Sequence, residues 1–106
     1  MRKMRKFRDY LIETLQDPEE ATAYLQVTLE EYMADNNTEA FLLALRTVAE
    51  AHGGLQEIAK RSHIDVQKLD VALSPHEKPQ LDKLNMILNG LGYRLSIEPL
   101  EAPMSG

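Results

Sequence analysis

The stretch from Gly53 to Leu73 constrains this chain more than any other. Two short helices can cross tightly only where their contact points are small or apolar, and Ile58, Ala59, Ile64, Leu69 and Ala72 sit where such a crossing needs them. The spacing is that of a helix-turn-helix. On its second helix the outward positions would be Asp65, Val66, Gln67, Asp70 and Val71, a set with no positive charge to meet the phosphates of a duplex. The scaffold points to a DNA reader, while the reading face offers little grip on DNA.

At 106 residues the chain is long enough to bury one core and leaves no room for a separate catalytic module. It has no cysteine, which removes disulfides, thiolate metal sites and cysteine nucleophiles, and a cytoplasmic location is the simplest expectation. Its apolar runs are far short of a membrane span, and the basic start is followed by acidic amphipathic sequence instead of an apolar signal core.

The net charge of −5 hides a division along the chain. Residues 1–8 carry five bases and no acid, residues 9–54 set ten acids against Arg46 alone, and residues 55–92 balance five of each. The first eight residues read as a basic, solvated N-terminal arm, residues 9–99 as one helix-turn-helix domain and residues 100–106 as a flexible tail. Clustered acid in the first half would speed and orient association with a basic partner; a solvated helix surface would look the same in sequence.

The pattern is helical almost throughout. Phe7, Tyr10, Leu11, Ile12 and Leu15 mark a short amphipathic segment. Asp17-Pro18-Glu19-Glu20 is a start signal: a capping carboxylate, a proline at the first helical position and acids that complement the helix dipole. The helix it opens should run to about Ala34 and bury Ala21, Tyr24, Leu25, Thr28, Leu29 and Tyr32. Thr38 opens the next, with Phe41, Leu42, Leu45, Val48 and Ala49 at core spacing and Gly53-Gly54 as its stop. Helices over 55–62 and 66–74 follow, the second capped by Asp65. After a loop over 74–79, Gln80 begins a last helix that buries Leu81, Leu84, Ile87, Leu88 and Leu91 and is stopped by Gly90 and Gly92. Tyr93–Glu98 alternates apolar with polar residues and predicts a short β-strand that pairs with another chain. The fold expected is all-α, five or six helices in a lambda-repressor-like arrangement, with that one C-terminal strand.

Enzymatic chemistry finds no constellation. His52, His63 and His76 are far apart, with no metal-ligand spacing on one helix, so neither a metal nor a cofactor is expected. The neighbouring acids Glu19-Glu20 and Glu30-Glu31 point to different faces of a helix, and there is no Gly-rich phosphate loop or nucleophile elbow.

Across nearly its whole length the chain carries a set of short motifs in fixed order. They are Asp17-Pro18-Glu19, Ala23-Tyr24-Leu25, Ala40 through Arg46, Val48 through Ala51, Gly53-Gly54, Ile58-Ala59-Lys60, Ala72-Leu73-Ser74 and Leu91 through Ile97. In these it resembles the putative addiction-module antidote proteins, HigA-like antitoxins of the Xre-type helix-turn-helix class. The resemblance implies a non-enzymatic protein that binds a basic toxin, often a ribonuclease of the RelE/HigB kind, and represses the shared operon as a homodimer on its operator.

On that reading residues 7–50 cover the toxin, with Tyr10, Leu11, Glu13 and Tyr32 as candidate contacts. The second helix of the pair enters the major groove with Val66, Gln67, Lys68 and Val71, while Lys60, Arg61, Lys78 and Lys83 are available to phosphates. The chain departs from the family at two places. His63 stands where glycine is usual at the tight turn, which leaves the turn strained or reshaped. Asp65, Val66, Asp70 and Val71 stand where serine, arginine and tyrosine are usual on the reading helix. Two other readings therefore stay open: a protein-interaction module that has lost operator recognition, and a stand-alone regulator with no toxin.

Overall fold

The computed structural model describes residues 2–74 and 78–99, with side chains from Phe7 onward. The expected loop residues 75–77 and the expected tail from residue 100 lie outside the described residues. Six helices follow one another: α1 (Arg2–Thr14), α2 (Pro18–Asp35), α3 (Thr38–Ala51), α4 (Leu55–Ser62), α5 (Val66–Ala72) and α6 (Leu81–Gly90). The basic residues expected as a separate arm are continuous with the first helix, since α1 starts at Arg2.

Local chemistry sets most of the boundaries. The Asp17 carboxylate accepts from the Glu19 amide at 3.0 Å, one step before Pro18, and starts α2. Asn36 closes it in the left-handed region, its amide donating to the Tyr32 carbonyl at 2.7 Å. Asn37 Oδ1 accepts from the Ala40 amide at 3.1 Å, so the cap of α3 is Asn37 and Thr38 is its first residue. Asp65 caps α5 through the Gln67 amide at 2.9 Å.

Helix α3 is the centre of the packing and touches α1, α2 and α4. It buries Phe41, Leu42, Ala44, Leu45, Thr47, Val48 and Ala49, the apolar stripe its sequence predicts plus one polar residue. Each large aliphatic side chain so buried contributes about 1.5–3 kcal/mol. The Thr47 hydroxyl is tolerated inside because it donates to the Leu43 carbonyl at 2.8 Å and accepts from Arg8 at 3.4 Å. Arg8 also pairs with Glu50 at 2.7 Å, and His52 Nε2 donates to the Leu15 carbonyl at 3.0 Å, which fastens the middle and the C-terminal end of α1 to α3.

In the second half α4, α5 and α6 pack on one another in all three pairings. Of the crossing pattern Ile58, Ala59 and Leu69 are buried and Ile64 and Ala72 half-buried, with Leu73, outside that pattern, buried as well. His63 closes α4 at φ 59°, ψ 42°, and Ile64 donates to the Ala59 carbonyl at 2.9 Å. The turn is thus the left-handed one that glycine would make; it is not reshaped, and His63 bears the strain.

Two expectations for the last helix change. Leu81, predicted in the core, is 73% exposed at its first turn. Gly90 does not stop α6 but is a buried contact point inside it: a Cβ there would lie 2.5 Å from Ser62 Oγ and 2.8 Å from Ile58 Cγ2. The stop is Gly92, at φ 97°, with the Tyr93 amide donating to the Leu88 carbonyl at 2.7 Å.

The predicted C-terminal strand is absent among the described residues; 93–99 runs without helix, turn or ladder. Alternation reports only which side chains face inward, and here the inward pair packs on helices. Tyr93 and Leu95 are half-buried, and Tyr93 shares a hydrogen bond with Thr22 of α2 at 3.0 Å. No second strand lies beside the segment to make it a sheet.

Candidate functional site

The exposed charges divide by sign between the two halves of the chain. The first set lies on α1, α2 and the first turn of α3, with the neighbouring acids of α2 on different faces of that helix. Asp9, Glu13, Asp17, Glu19, Glu20, Glu30, Glu31, Asp35 and Glu39 are all exposed, and residues 9–45 contain no base. Among the described residues none of these nine carboxylates has a cationic partner within ion-pair distance. Exposed apolar side chains accompany them: Phe7 at 69% and Tyr10 at 67% on α1, and Val27 and Met33 on α2. Asp17 and Asp35 accept from the Glu19 and Asn37 amides, but carboxylates with no cationic partner create a standing negative potential, and the bare aromatics supply area that gains by being covered.

Of the four candidate contacts in this half, the structure brings two to the surface. Tyr10 and Glu13, three residues apart, share the outer side of α1. Leu11 packs against the core from the other side. Tyr32 is half-buried and stacked on Phe41, with ring centroids 4.8 Å apart and planes 13° from parallel, so its main contact is internal. Tyr24 lies between the surface and the core; burial raises its pKa, the Arg8 charge works against that rise and Glu31 adds to it.

The second set lies on α4, α5 and α6. Lys60, Lys68, Lys78 and Lys83 are exposed and make no ion pair among the described residues. Among the described residues, the acids of α4, α5 and α6 and of their caps each have a partner inside the chain. Glu57 faces Arg61 at 3.7 Å, Asp65 caps α5, and the Asp82 carboxylate accepts from the Lys83 amide at 2.9 Å. Asp70 is held by Arg46 of α3 at 2.9 Å, and the same guanidinium reaches the Asp70 carbonyl at 3.4 Å.

That pair alters the reading of the α5 face. Asp70 is tied back to α3, and Val66, placed in the groove by sequence, packs against the core instead. Arg61 is likewise engaged, donating to the His52 carbonyl at 2.7 Å. What α5 presents outward is Gln67, Lys68 and Val71, the last 65% exposed. These three face Lys83 and Met86 of α6 across a hollow of ≈ 650 Å³.

Nothing in the sequence announced the Arg46–Asp70 pair, which joins residues 24 apart through tertiary packing. The spacing signal used for helices reaches only three or four residues. A further groove of ≈ 310 Å³ lies between α2, α3, α6 and the C-terminal segment, with Leu25, Leu29, Phe41, Leu88 and Leu95 among its walls. Its apolar lining comes mainly from α2, α3 and α6, to which the C-terminal segment adds Tyr93 and Leu95.

The family described as probable addiction module antidote protein matches residues 4–99. The chain belongs to that family. The match takes in all of α2 to α6 and most of α1, and so both sets of exposed charge. No curated protein and no solved structure matches the antidote chain. Among its described residues no group of three or more His, Cys, Asp or Glu side chains could hold a metal ion, and no helix is long and apolar enough to cross a membrane.

Proposed function

We propose that this antidote is an Xre-type, HigA-like antitoxin of the cytoplasm. It neutralises a basic toxin of the RelE/HigB kind by stoichiometric binding, without catalysis, and represses the shared operon. The observation that carries the reading is the α1–α2 surface: nine exposed carboxylates with no cationic partner among the described residues, interleaved with exposed aromatic and aliphatic side chains, in a chain of the antidote family. Such a surface attracts a cationic protein at long range and then buries apolar area against it. Tyr10 and Glu13 are its contacts on α1.

Operator binding is the second half of the proposal. In it α4 and α5 act as the helix-turn-helix, α5 enters the major groove, and Lys60, Lys68, Lys78 and Lys83 contact phosphates. The four unpaired lysines support this, because the acids beside them are already engaged. A homodimer suits a two-fold operator, and Ile97, 99% exposed on the C-terminal segment, is the proposed contact between copies.

The test is co-purification with the product of any short reading frame beside this gene that encodes a basic protein. The full chain is expected to hold it through a salt-sensitive association rate, and Glu30→Lys with Glu31→Lys is expected to slow that association. Unchanged association in the double variant overturns the acidic-surface reading. A reading without DNA is favoured by one observation, the absence of arginine from the outward face of α5. It makes the protein an interaction module only, and a band-shift assay on the promoter separates the two.

A further inference from the structure

We propose that α5 selects an A·T step, with Gln67 reading adenine and the Val71 side chain packing on the C5-methyl group of a neighbouring thymine. This rests on the operator-binding reading above and names what such a face would recognise. Five residues of the α5 region were in contention for base contact, and the structure removes three. Val66 packs on the core, Asp70 is held by Arg46 through both its carboxylate and its carbonyl, and the Asp65 carboxylate is taken by the Gln67 amide. Gln67 and Val71 remain, four residues apart and thus on one face of the helix. Along the axis they are separated by about 6 Å, so with their side chains they span base pairs one to two steps apart at about 3.4 Å per step.

The chemistry of the two side chains then fixes the bases. A carboxamide matches the N6 donor and N7 acceptor of adenine in a paired geometry. A branched aliphatic side chain 65% exposed to water gains only from an apolar partner, and in the major groove the thymine methyl is that partner. Lys68 and Lys83 line the same hollow and carry no ion pair among the described residues, while Asp65 and Asp82, which line it too, accept from the backbone amides of Gln67 and Lys83, so the two lysines are the groups there that phosphates can meet. Guanine reading by arginine has no candidate on this face.

The experiment uses the full chain and two probes: promoter duplex from its own gene, and a pool of labelled duplexes with a randomised centre. Sites recovered from the pool are expected to share an A·T step in each half-site. Replacing thymine by uracil at that step removes the methyl and should weaken binding by about 4-fold, the weight of one buried methyl group. Val71→Ala should bind thymine and uracil duplexes equally, and Gln67→Ala should lose about 10-fold or more in preference for adenine. Both residues are exposed, and circular dichroism checks that the variants are folded. Equal binding of thymine and uracil duplexes by the unmodified chain, or recovery of G·C-rich sites, overturns this inference and leaves operator binding standing. Failure of the folded chain to bind either probe at physiological salt overturns operator binding itself and assigns the α5 face to a protein.

Discussion

Replacing His63 with glycine is expected to stabilise the protein. His63 sits at φ 59°, ψ 42° at the end of α4, with its own amide on the Lys60 carbonyl at 3.3 Å and the Ile64 amide on the Ala59 carbonyl at 2.9 Å. The same closing bond ends α3 at Gly53-Gly54 and α6 at Gly92-Tyr93, where glycine occupies the left-handed position. A side chain in that region costs about 1–2 kcal/mol. Glycine returns part of this by its greater freedom in the unfolded chain, about 0.5–1 kcal/mol. The His63 side chain is exposed and makes no hydrogen bond among those described, so its loss subtracts little. The net gain is about 0.5–1 kcal/mol, or about 2–5 °C in Tm for a chain of this size. Urea unfolding should show the midpoint rising at constant slope. His63→Val should fall in the opposite direction, because a β-branched residue fits the left-handed region worst. Asn36→Gly is the control: asparagine already tolerates that conformation, so the change should be near neutral. A neutral His63→Gly together with a harmless His63→Val would show that the turn after α4 is not left-handed.

Other perturbations test the packing and the surfaces. Gly90→Ala should destabilise by about 1–2 kcal/mol, because its Cβ meets Ser62 and Ile58, and Ser62→Ala should recover part of the loss in a double-mutant cycle. Tyr24 titrates above its ordinary 10.0 because burial disfavours the phenolate. The unfolded chain therefore releases that proton first, and the stability tied to the neutral ring is full below the unfolded value and lost as pH rises through the folded one. Tyr24→Phe should remove this part of the alkaline loss in unfolding curves taken across that range. Asp70→Asn should free Arg46 as well as remove a carboxylate, so it should raise affinity for duplex DNA of any sequence and steepen the salt dependence by about one unit. A steeper slope without Arg46, in the Arg46→Ala, Asp70→Asn double variant, would show that Arg46 takes no part.

Much of the helical order was legible because its signals are local. The capping residue, proline and acids at 17–20, the carboxylate at Asp65 and the apolar stripe of α3 act within one or two turns, and those helices lie where the signals put them. Alternation at 93–98 misled because it records an inward and an outward side without saying what lies inward; the answer was the α2 and α3 helices, not a second strand. Gly90 was read as a terminator because a glycine near a helix end has that meaning more often than the other, a missing side chain that lets two helices touch. At the surfaces, sequence named Tyr10, Glu13, Gln67, Lys68 and Val71 as contacts but also named Leu11, Val66 and Tyr32, the last on the side of α2 it expected to be buried. The latter three sit on the inner edges of their helices, a distinction of a few tens of degrees that only the positions of neighbouring helices decide.

The central place of α3 has a consequence for how such a protein can change over generations. Its buried residues support α1 and α2 on one side and α4 on another, yet the exposed carboxylates of α1–α2 and the outward residues of α5 contribute nothing to that core. Apart from Asp17, which caps α2, and Asp35, which accepts from the Asn37 amide, substitutions on either outer face therefore leave the scaffold's stability nearly untouched. One face can follow a drifting partner while the other stays fixed, so new pairings can arise one at a time. The Arg46–Asp70 bridge is the exception, since it runs from α3 to the outward side of α5: a lineage that alters residue 70 alters the charge at residue 46 in the same step.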